Sequence, residues 1–261
     1  MAGMTLPSKP IASPTAPPSS RPAWITEMLF RMRKHFALKL VGTTVFTWLF
    51  FIAYFHLLRY PAHEVTVMPL TPIDHWVPFV PQMLVAYLSL WFYVGVAPGL
   101  QRSFAELIVY GLWVGALCLT GLGLFYLWPT QVPPMLVDVS GAPGFEVLKG
   151  VDAAGNACPS MHVAVAMFTA LRIDDVLRQA GAPRTLRWVN VLWLAAIALS
   201  TLAVKQHVAL DAAAGALLGL AFALPSMRWR PAPNRRIAAD IIGAHRSHGE
   251  SRTGATADIA P

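Results

Sequence analysis

Residues 188–225 read W-V-N-V-L-W-L-A-A-I-A-L-S-T-L-A-V-K-Q-H-V-A-L-D-A-A-A-G-A-L-L-G-L-A-F-A-L-P. Two apolar runs, 188–204 and 208–225, are each long enough to cross a hydrocarbon core of about 30 Å. Between them stand Lys205, Gln206 and His207, and Asp211 follows inside the second run. A bland membrane helix carries nothing titratable at such a place, because ionisable groups in lipid are costly and need partners. If His207 opens the second helix, Asp211 lies one turn further on the same face.

Working outward, further spans are expected at 40–58, 76–97 and 106–127. A sixth, 161–180, begins M-H-V-A-V-A-M-F-T-A-L and then turns charged at Arg172, Asp174, Asp175 and Arg178. It reads as a helix that starts in the outer half of the membrane and emerges into the cytoplasm. The 261 residues are 56% hydrophobic and 13% charged, the balance of an integral membrane protein rather than a soluble one. Six spans over residues 24–230 leave no room for a separate soluble domain, so the expected fold is an all-α, six-helix membrane bundle. Residues 1–23, rich in Pro, Ser, Ala and Thr, read as a disordered tail. Residues 231–261, polar and without an apolar period, read likewise. The first span follows a basic cluster, is too long for a signal-peptide core and has no small-residue cleavage site after it, so it is expected to be an uncleaved anchor.

Charge placement orients the bundle. With both termini inside, Arg31, Arg33, Lys34, Lys39, Arg102, Arg172, Arg178, Arg184, Arg187, Arg228, Arg230, Arg235 and Arg236 fall on cytoplasmic segments. Arg59, Lys149 and Lys205 are left outside, as the positive-inside rule asks. The net charge of +7 then reflects topology and not nucleic-acid binding. In this orientation His162, His207 and Asp211 all reach the external side, in the setting of a bacterial-type inner membrane with the site facing the periplasm. Cys118 lies in the third span and Cys158 in an external loop, so no disulfide framework is implied. The pairs Gly111/Gly115 and Gly215/Gly219 are expected to let helices approach closely.

The connection 128–160 is long and dense in Pro and Gly, and it delivers the chain to Pro159-Ser160-Met161-His162. That tetrapeptide reads as a helix start, with Ser as cap. The free amides around Ser160 and Met161 form a place for a phosphate beside His162; the bland alternative is an ordinary capped helix with an interfacial histidine. At the second motif, a carboxylate at 211 can hold one ring nitrogen of His207, fix its tautomer and leave the other nitrogen as a nucleophile. His162 then supplies the acid for a leaving group. A structural His–Asp cap is the alternative for the pair alone. Lys205 and, in the long loop, Lys149 are the candidate cations for phosphate oxygens. Arg59 and His63 are weaker headgroup contacts, Arg102 is an inner anchor, and Cys158 has no base placed for it. No cluster of carboxylates suits a metal, and no cofactor is expected.

These motifs resemble those of the type 2 phosphatidic acid phosphatase superfamily, which includes the vanadium haloperoxidases. The family carries K-x6-R-P, then P-S-G-H, then S-R-x5-H-x3-D. Residues 159–162 match the second motif with Met161 in place of Gly. Ser200, Thr201, His207 and Asp211 match the third, with Thr201 in place of Arg. The first motif is absent from loop 128–160. The S-T and Q-H variants, with W-P-T-Q-V-P-P, are more similar to the inositol phosphorylceramide synthase branch. The resemblance implies a metal-independent lipid phosphatase or phosphotransferase, with His207 forming a phosphohistidine oriented by Asp211. It also implies His162 as acid, a six-helix fold with its site at the outer surface, and a lipid phosphate or phospholipid substrate. Lys205 and Lys149 stand in for the family's missing basic residues. A synthase that moves a phospho-headgroup onto another lipid is the alternative to hydrolysis. A transporter or a scaffold without chemistry is the alternative from another class; the crowding of titratable groups at one membrane surface argues against it. Nothing in the sequence fixes the substrate, the acceptor or the oligomeric state.

Overall fold

The computed structural model describes residues 22–134 and 156–229. In lipid every backbone amide needs an internal partner, so the apolar runs fold as helices. In chain order these are α1 (Ala23–Arg33), α2 (Phe36–Arg59), α3 (Pro72–Trp76), α4 (Leu84–Leu88), α5 (Leu90–Gly99), α6 (Phe104–Leu127), α7 (Met161–Gln179), α8 (Arg184–Ala203) and α9 (Ala209–Arg228). Among the described residues, five stretches are long and apolar enough to cross a membrane: 36–59, 81–99, 104–127, 184–203 and 209–228. They coincide with five expected spans, with shifted ends. The expected tails 1–23 and 231–261 lie outside the described residues, except that α1 already begins at Ala23. Lys149 lies outside them as well.

Two expectations need correction. The span read as 76–97 is broken at its start: α3 is a separate short helix, and a 3-10 turn at Pro81–Met83 leads into α4 and α5. Prolines 78 and 81 cause the break, because each pushes the residue before it out of the helical region. Val77 and Val80 accordingly have ψ of 111° and 94°. The all-α description also gains a two-residue parallel pair, β1 (Thr66–Val67) on β2 (Thr130–Gln131), in register Thr66↔Thr130. Thr130 extends this patch by bridging to Asn156.

The second correction concerns where the charged half of α7 leaves the bundle. α7 is the central helix, packed against α5, α6, α8 and α9, and Arg172, the first of the charges at which it was expected to turn outward, is still enclosed. Ala164, Ala166 and Phe168 are completely buried. Arg172 is buried too, its guanidinium donating to the Ser226 carbonyl at 3.0 Å and to Gln101 Oε1 at 3.3 Å. Hydropathy measures the fitness of a surface for lipid, and a helix enclosed by other helices escapes that test. Lys39, expected on a cytoplasmic flank, is likewise buried, donating to the carbonyls of Arg31, Gly99 and Gln101 at 2.7–2.8 Å. Beyond Arg172, the polar end of α7 does meet solvent-facing partners, with Asp174 taking both Arg187 and Arg178.

Helix direction sorts the bundle into two ends. Lys39, Gln101, Arg172 and Ser226 meet at one. The β1–β2 patch, α3 and the first turns of α7 and α9 gather at the other. Among the described residues the lysines and arginines sit at the first end except Arg59 and Lys205. A polar tie crosses the middle, where the Tyr93 hydroxyl donates to Asn190 Oδ1 at 2.7 Å and Asn190 Nδ2 donates to the Ala170 carbonyl.

α9 approaches α7 closely. A methyl group at Gly215 would overlap the Ser160 carbonyl oxygen, and one at Gly219 would overlap that of Ala164. Gly215/Gly219 therefore does what its spacing suggests. Gly111/Gly115 does not: nothing lies within 4 Å of a methyl at Gly111, and only a Phe46 ring carbon, at 3.8 Å, meets one at Gly115. Gly219→Val is expected to destabilise the bundle by about 1–3 kcal/mol through overpacking, and Gly111→Ala to be neutral or slightly stabilising. Thermal unfolding of the two variants in one detergent checks this contrast.

Candidate active site

The His207–Asp211 stretch does not fold as its spacing suggests. α9 begins at Ala209, so His207 lies on the loop before the helix and not in its first turn. Val208, the residue between them, is extended, with φ −99° and ψ 164°, and offers no side-chain cap. The cap comes from 135 residues away: Asp74 Oδ1 accepts the Ala209 N–H at 2.7 Å. Within the loop, the Thr201 carbonyl accepts the N–H groups of both Gln206 and His207, each at 3.1 Å. Lys205 has φ +59°, in the left-handed region.

The expected pair nevertheless forms. His207 Nδ1 lies 2.9 Å from Asp211 Oδ2, and Asp211 is fully buried. The other carboxylate oxygen accepts the Ala212 N–H at 3.1 Å. Bonded to a carboxylate, Nδ1 carries the ring proton, which leaves a lone pair on Nε2. His162, in the first turn of α7, brings its ring centroid to 5.8 Å from that of His207. It is stacked on Tyr87 at 4.3 Å and meets Trp91 edge-on at 5.7 Å. Its Nε2 is buried without a hydrogen-bond partner. Both imidazoles line one cavity of about 1050 Å³. The cavity runs past Tyr54, Phe50 and Val114 to Lys39 at the far end of the bundle, and its walls are mainly apolar.

Ser160 caps α7 as expected, its Oγ accepting the Val163 N–H at 3.4 Å. Its own N–H, however, is taken by the Asp211 carbonyl at 2.9 Å, and the residue is completely buried. It is therefore not an open anion donor. The first-turn amides of Met161 and His162 are the ones a helix cannot satisfy itself. The Met161 side chain, standing where the resembled motif has glycine, packs on Gly121 of α6.

Lys205 lines the cavity, but its ammonium donates to the backbone carbonyls of Val77 and, at 3.2 Å, Asp74. An ammonium has three hydrogens, so one remains for a ligand. The Thr201 hydroxyl, at the position where the resembled motif has arginine, turns back to the Ala198 carbonyl at 2.7 Å. Arg59 and His63 do not line the cavity, and Arg102 stands at the opposite end, 3.8 Å from Glu27. Burial and the Asp211 charge push the Cys158 thiol up to about 11, so it stays protonated and is no nucleophile.

Sequence reading missed Asp74. Burial alone pushes its carboxyl up, but hydrogen bonds from Thr71 and Ala209 and the Lys205 charge outweigh this and hold it below the usual carboxylate range. The local T-P-I-D pattern at 71–74 is a legible capping box, and the structure forms it. Its second client, Ala209, left no trace in the sequence. Tyr87 was legible only as a residue of an apolar span, and Trp91 only as an aromatic suited to a membrane interface.

The left-handed backbone at Lys205 separates two roles of that residue. Lys205→Gly removes the ammonium and keeps the backbone unstrained. Lys205→Ala removes the ammonium and retains a side chain disfavoured by about 1 kcal/mol at positive φ. The glycine variant is expected to be the more stable of the two by that amount in thermal unfolding.

Comparison with known proteins adds one match. No curated protein and no solved structure matches the chain. Residues 116–235, which carry α7, α8, α9 and the converging His162, His207 and Asp211, match the family model of the PAP2 superfamily.

Proposed function

We propose that this protein is a membrane lipid-phosphate phosphatase or phosphotransferase that works through a phosphohistidine on His207. The observation that carries the reading is the His207–Asp211 hydrogen bond of 2.9 Å, facing His162 in one cavity. The match of residues 116–235 to the PAP2 superfamily supports it. The bundle would have six spans, α7 being the sixth. Both termini would be cytoplasmic, with the histidines at the periplasmic face of an inner membrane; the concentration of Lys and Arg at the opposite end supports this orientation.

In this mechanism His207 Nε2 attacks phosphorus while the bond to the leaving oxygen breaks. His162, as imidazolium, gives its Nε2 proton to that oxygen and is left as the neutral imidazole. Asp211 stabilises the positive charge on His207 as it forms. Water or an alcohol then attacks the phosphohistidine, His162 takes up the attacker's proton, and His207 is restored. The first-turn amides of Met161 and His162, held in place by the Ser160 cap, would meet phosphate oxygens, together with the remaining Lys205 N–H and Lys149.

A second reading, transfer of a phospho-headgroup as in the inositol phosphorylceramide synthase branch, is favoured by one observation. The Lys205 ammonium and the Thr201 hydroxyl are both engaged by backbone carbonyls. Such a site suits a singly charged phosphodiester better than a phosphate dianion.

His207→Ala is expected to abolish release of phosphate from dioctanoyl phosphatidate, and Asp211→Asn to lower kcat on the order of 10³-fold or more by losing tautomer control. His162→Ala should hurt poor leaving groups far more than activated aryl phosphates; equal losses would remove it from the acid role. Among the described residues no three His, Cys, Asp or Glu side chains group to hold a metal, and activity should survive excess chelator. Loss of activity in chelator with recovery on adding magnesium would contradict the mechanism.

A further inference from the structure

In a helix, residues i and i+4 meet because the helix makes them meet. Here that geometry is not available, since His207 lies outside α9. The distance from His207 to Asp211 is therefore set by the backbone at Val208 and by where α9 starts. Val208 supplies no cap of its own. The start is fixed by Asp74 Oδ1 on the Ala209 N–H at 2.7 Å. The same carboxylate is held rigidly from its other side, Oδ2 accepting the Thr71 N–H and the Thr71 hydroxyl, each at 2.7 Å. Two more ties join this segment to the loop. The Lys205 ammonium donates to the carbonyls of Asp74 and Val77, and the Val80 N–H donates to the Ala203 carbonyl at 3.0 Å. The loop that carries His207 is thus fastened to one short external segment at Ala203, Lys205 and Ala209.

We propose that Asp74 is the positioning residue of the His207–Asp211 pair: its carboxylate, locked by Thr71, fixes the first turn of α9 and with it the 2.9 Å contact between the imidazole and the buried carboxylate. Asp74 does not itself touch the reacting atoms. Its effect on turnover rests on the reading of His207 as nucleophile; its effect on the imidazole hydrogen bond does not.

The test uses the full chain in detergent micelles with labelled histidine. One readout is the low-field Nδ1–H proton signal of His207, assigned by its absence in His207→Asn. The other is kcat and KM on dioctanoyl phosphatidate. Asp74→Ala should broaden or abolish the low-field signal and lower kcat on the order of 10–100-fold, the scale of a catalytic group displaced by about 1 Å, while KM stays within about twofold. Asp74→Asn keeps one oxygen, enough for the Ala209 N–H or for the Thr71 N–H but not for both, and should fall between Asp74→Ala and the wild type. Ala209→Pro is the sharper variant. Proline is welcome at the first helical position, and extended Val208 is already in the conformation proline demands of its predecessor. It deletes the one hydrogen bond to Asp74 without disturbing Thr71, and it should reproduce the Asp74→Ala loss. Thr71→Val removes the hydroxyl half of the lock on Asp74 and keeps the Thr71 N–H, so it should cost part of the Asp74→Ala loss and not all of it.

A wild-type low-field signal and kcat in folded Ala209→Pro would overturn the proposal, as would a folded Asp74→Ala protein with both at the wild-type level. If Asp74→Ala does not fold, Ala209→Pro still decides. If the wild type turns over neither phosphatidate nor a phosphodiester lipid, the functional reading fails, and the proton signal alone decides the role of Asp74.

Discussion

The buried carboxylate of Asp211 is the constraint around which one end of this bundle is arranged. An ionised group with no access to water must find donors close by. It has two, His207 Nδ1–H and the Ala212 N–H. The backbone of the same residue accepts the Ser160 N–H, which ties the first turn of α9 to the cap of α7. That contact requires the two helix axes to come close, and they do so only because residues 215 and 219 lack side chains. The glycines permit the approach, the approach brings the two helix starts together, and the two helix starts carry the two histidines. No single member of this series explains the site, but removing the carboxylate leaves the others without a purpose.

The opposite end solves a similar problem with the opposite charge. Lys39 is surrounded by three carbonyls that terminate helices or connect them, and Arg172 reaches a fourth on Ser226. Carbonyls at helix C-termini have no partner within their own helix and carry the negative end of the dipole. Buried cations there satisfy those orphan groups, and the groups in turn make burial of the cations tolerable. Gln101 bridges the two, its carbonyl accepting from Lys39 and its side-chain oxygen from Arg172.

Much of this was legible in the sequence, and the failures share a cause. Five spans were readable because lipid imposes a composition on whatever faces it. The His207–Asp211 pair and the Ser160 cap were readable because they are local in sequence. Arg172 was misplaced because α7 faces other helices there, where hydropathy carries no information, so an enclosed guanidinium read as part of the cytoplasmic end. The break at residues 77–80 was available in Pro78 and Pro81, but the apolar run around them outweighed the prolines. Asp74 could be recognised as the cap of its own short helix; that it also caps α9 depends on a contact between residues 74 and 209, which no local pattern encodes. Lys205 shows the same limit from the other side. Its position beside His207 suggested a ligand for phosphate, while two carbonyls from the distant α3 segment already hold its ammonium.

The shape of the cavity bears on what such a site can use. The face of α2 that lines it runs from Leu38 to Leu58, and at 1.5 Å per residue that is about 30 Å, the thickness of the hydrocarbon core. The two histidines stand at one end of this length. An apolar slot of that depth offers nothing to a small, hydrophilic phosphate ester beyond the few polar groups at its mouth. For a lipid, burial of chain in the slot supplies binding free energy in proportion to apolar area, remote from the reacting phosphorus. Binding energy of that kind can hold a headgroup against His207 even where few cations grip the phosphate. Among the described residues, the scarcity of free positive charge beside His207 and the extent of apolar wall beneath it are thus the two features on which the proposal of an amphiphilic substrate would draw together.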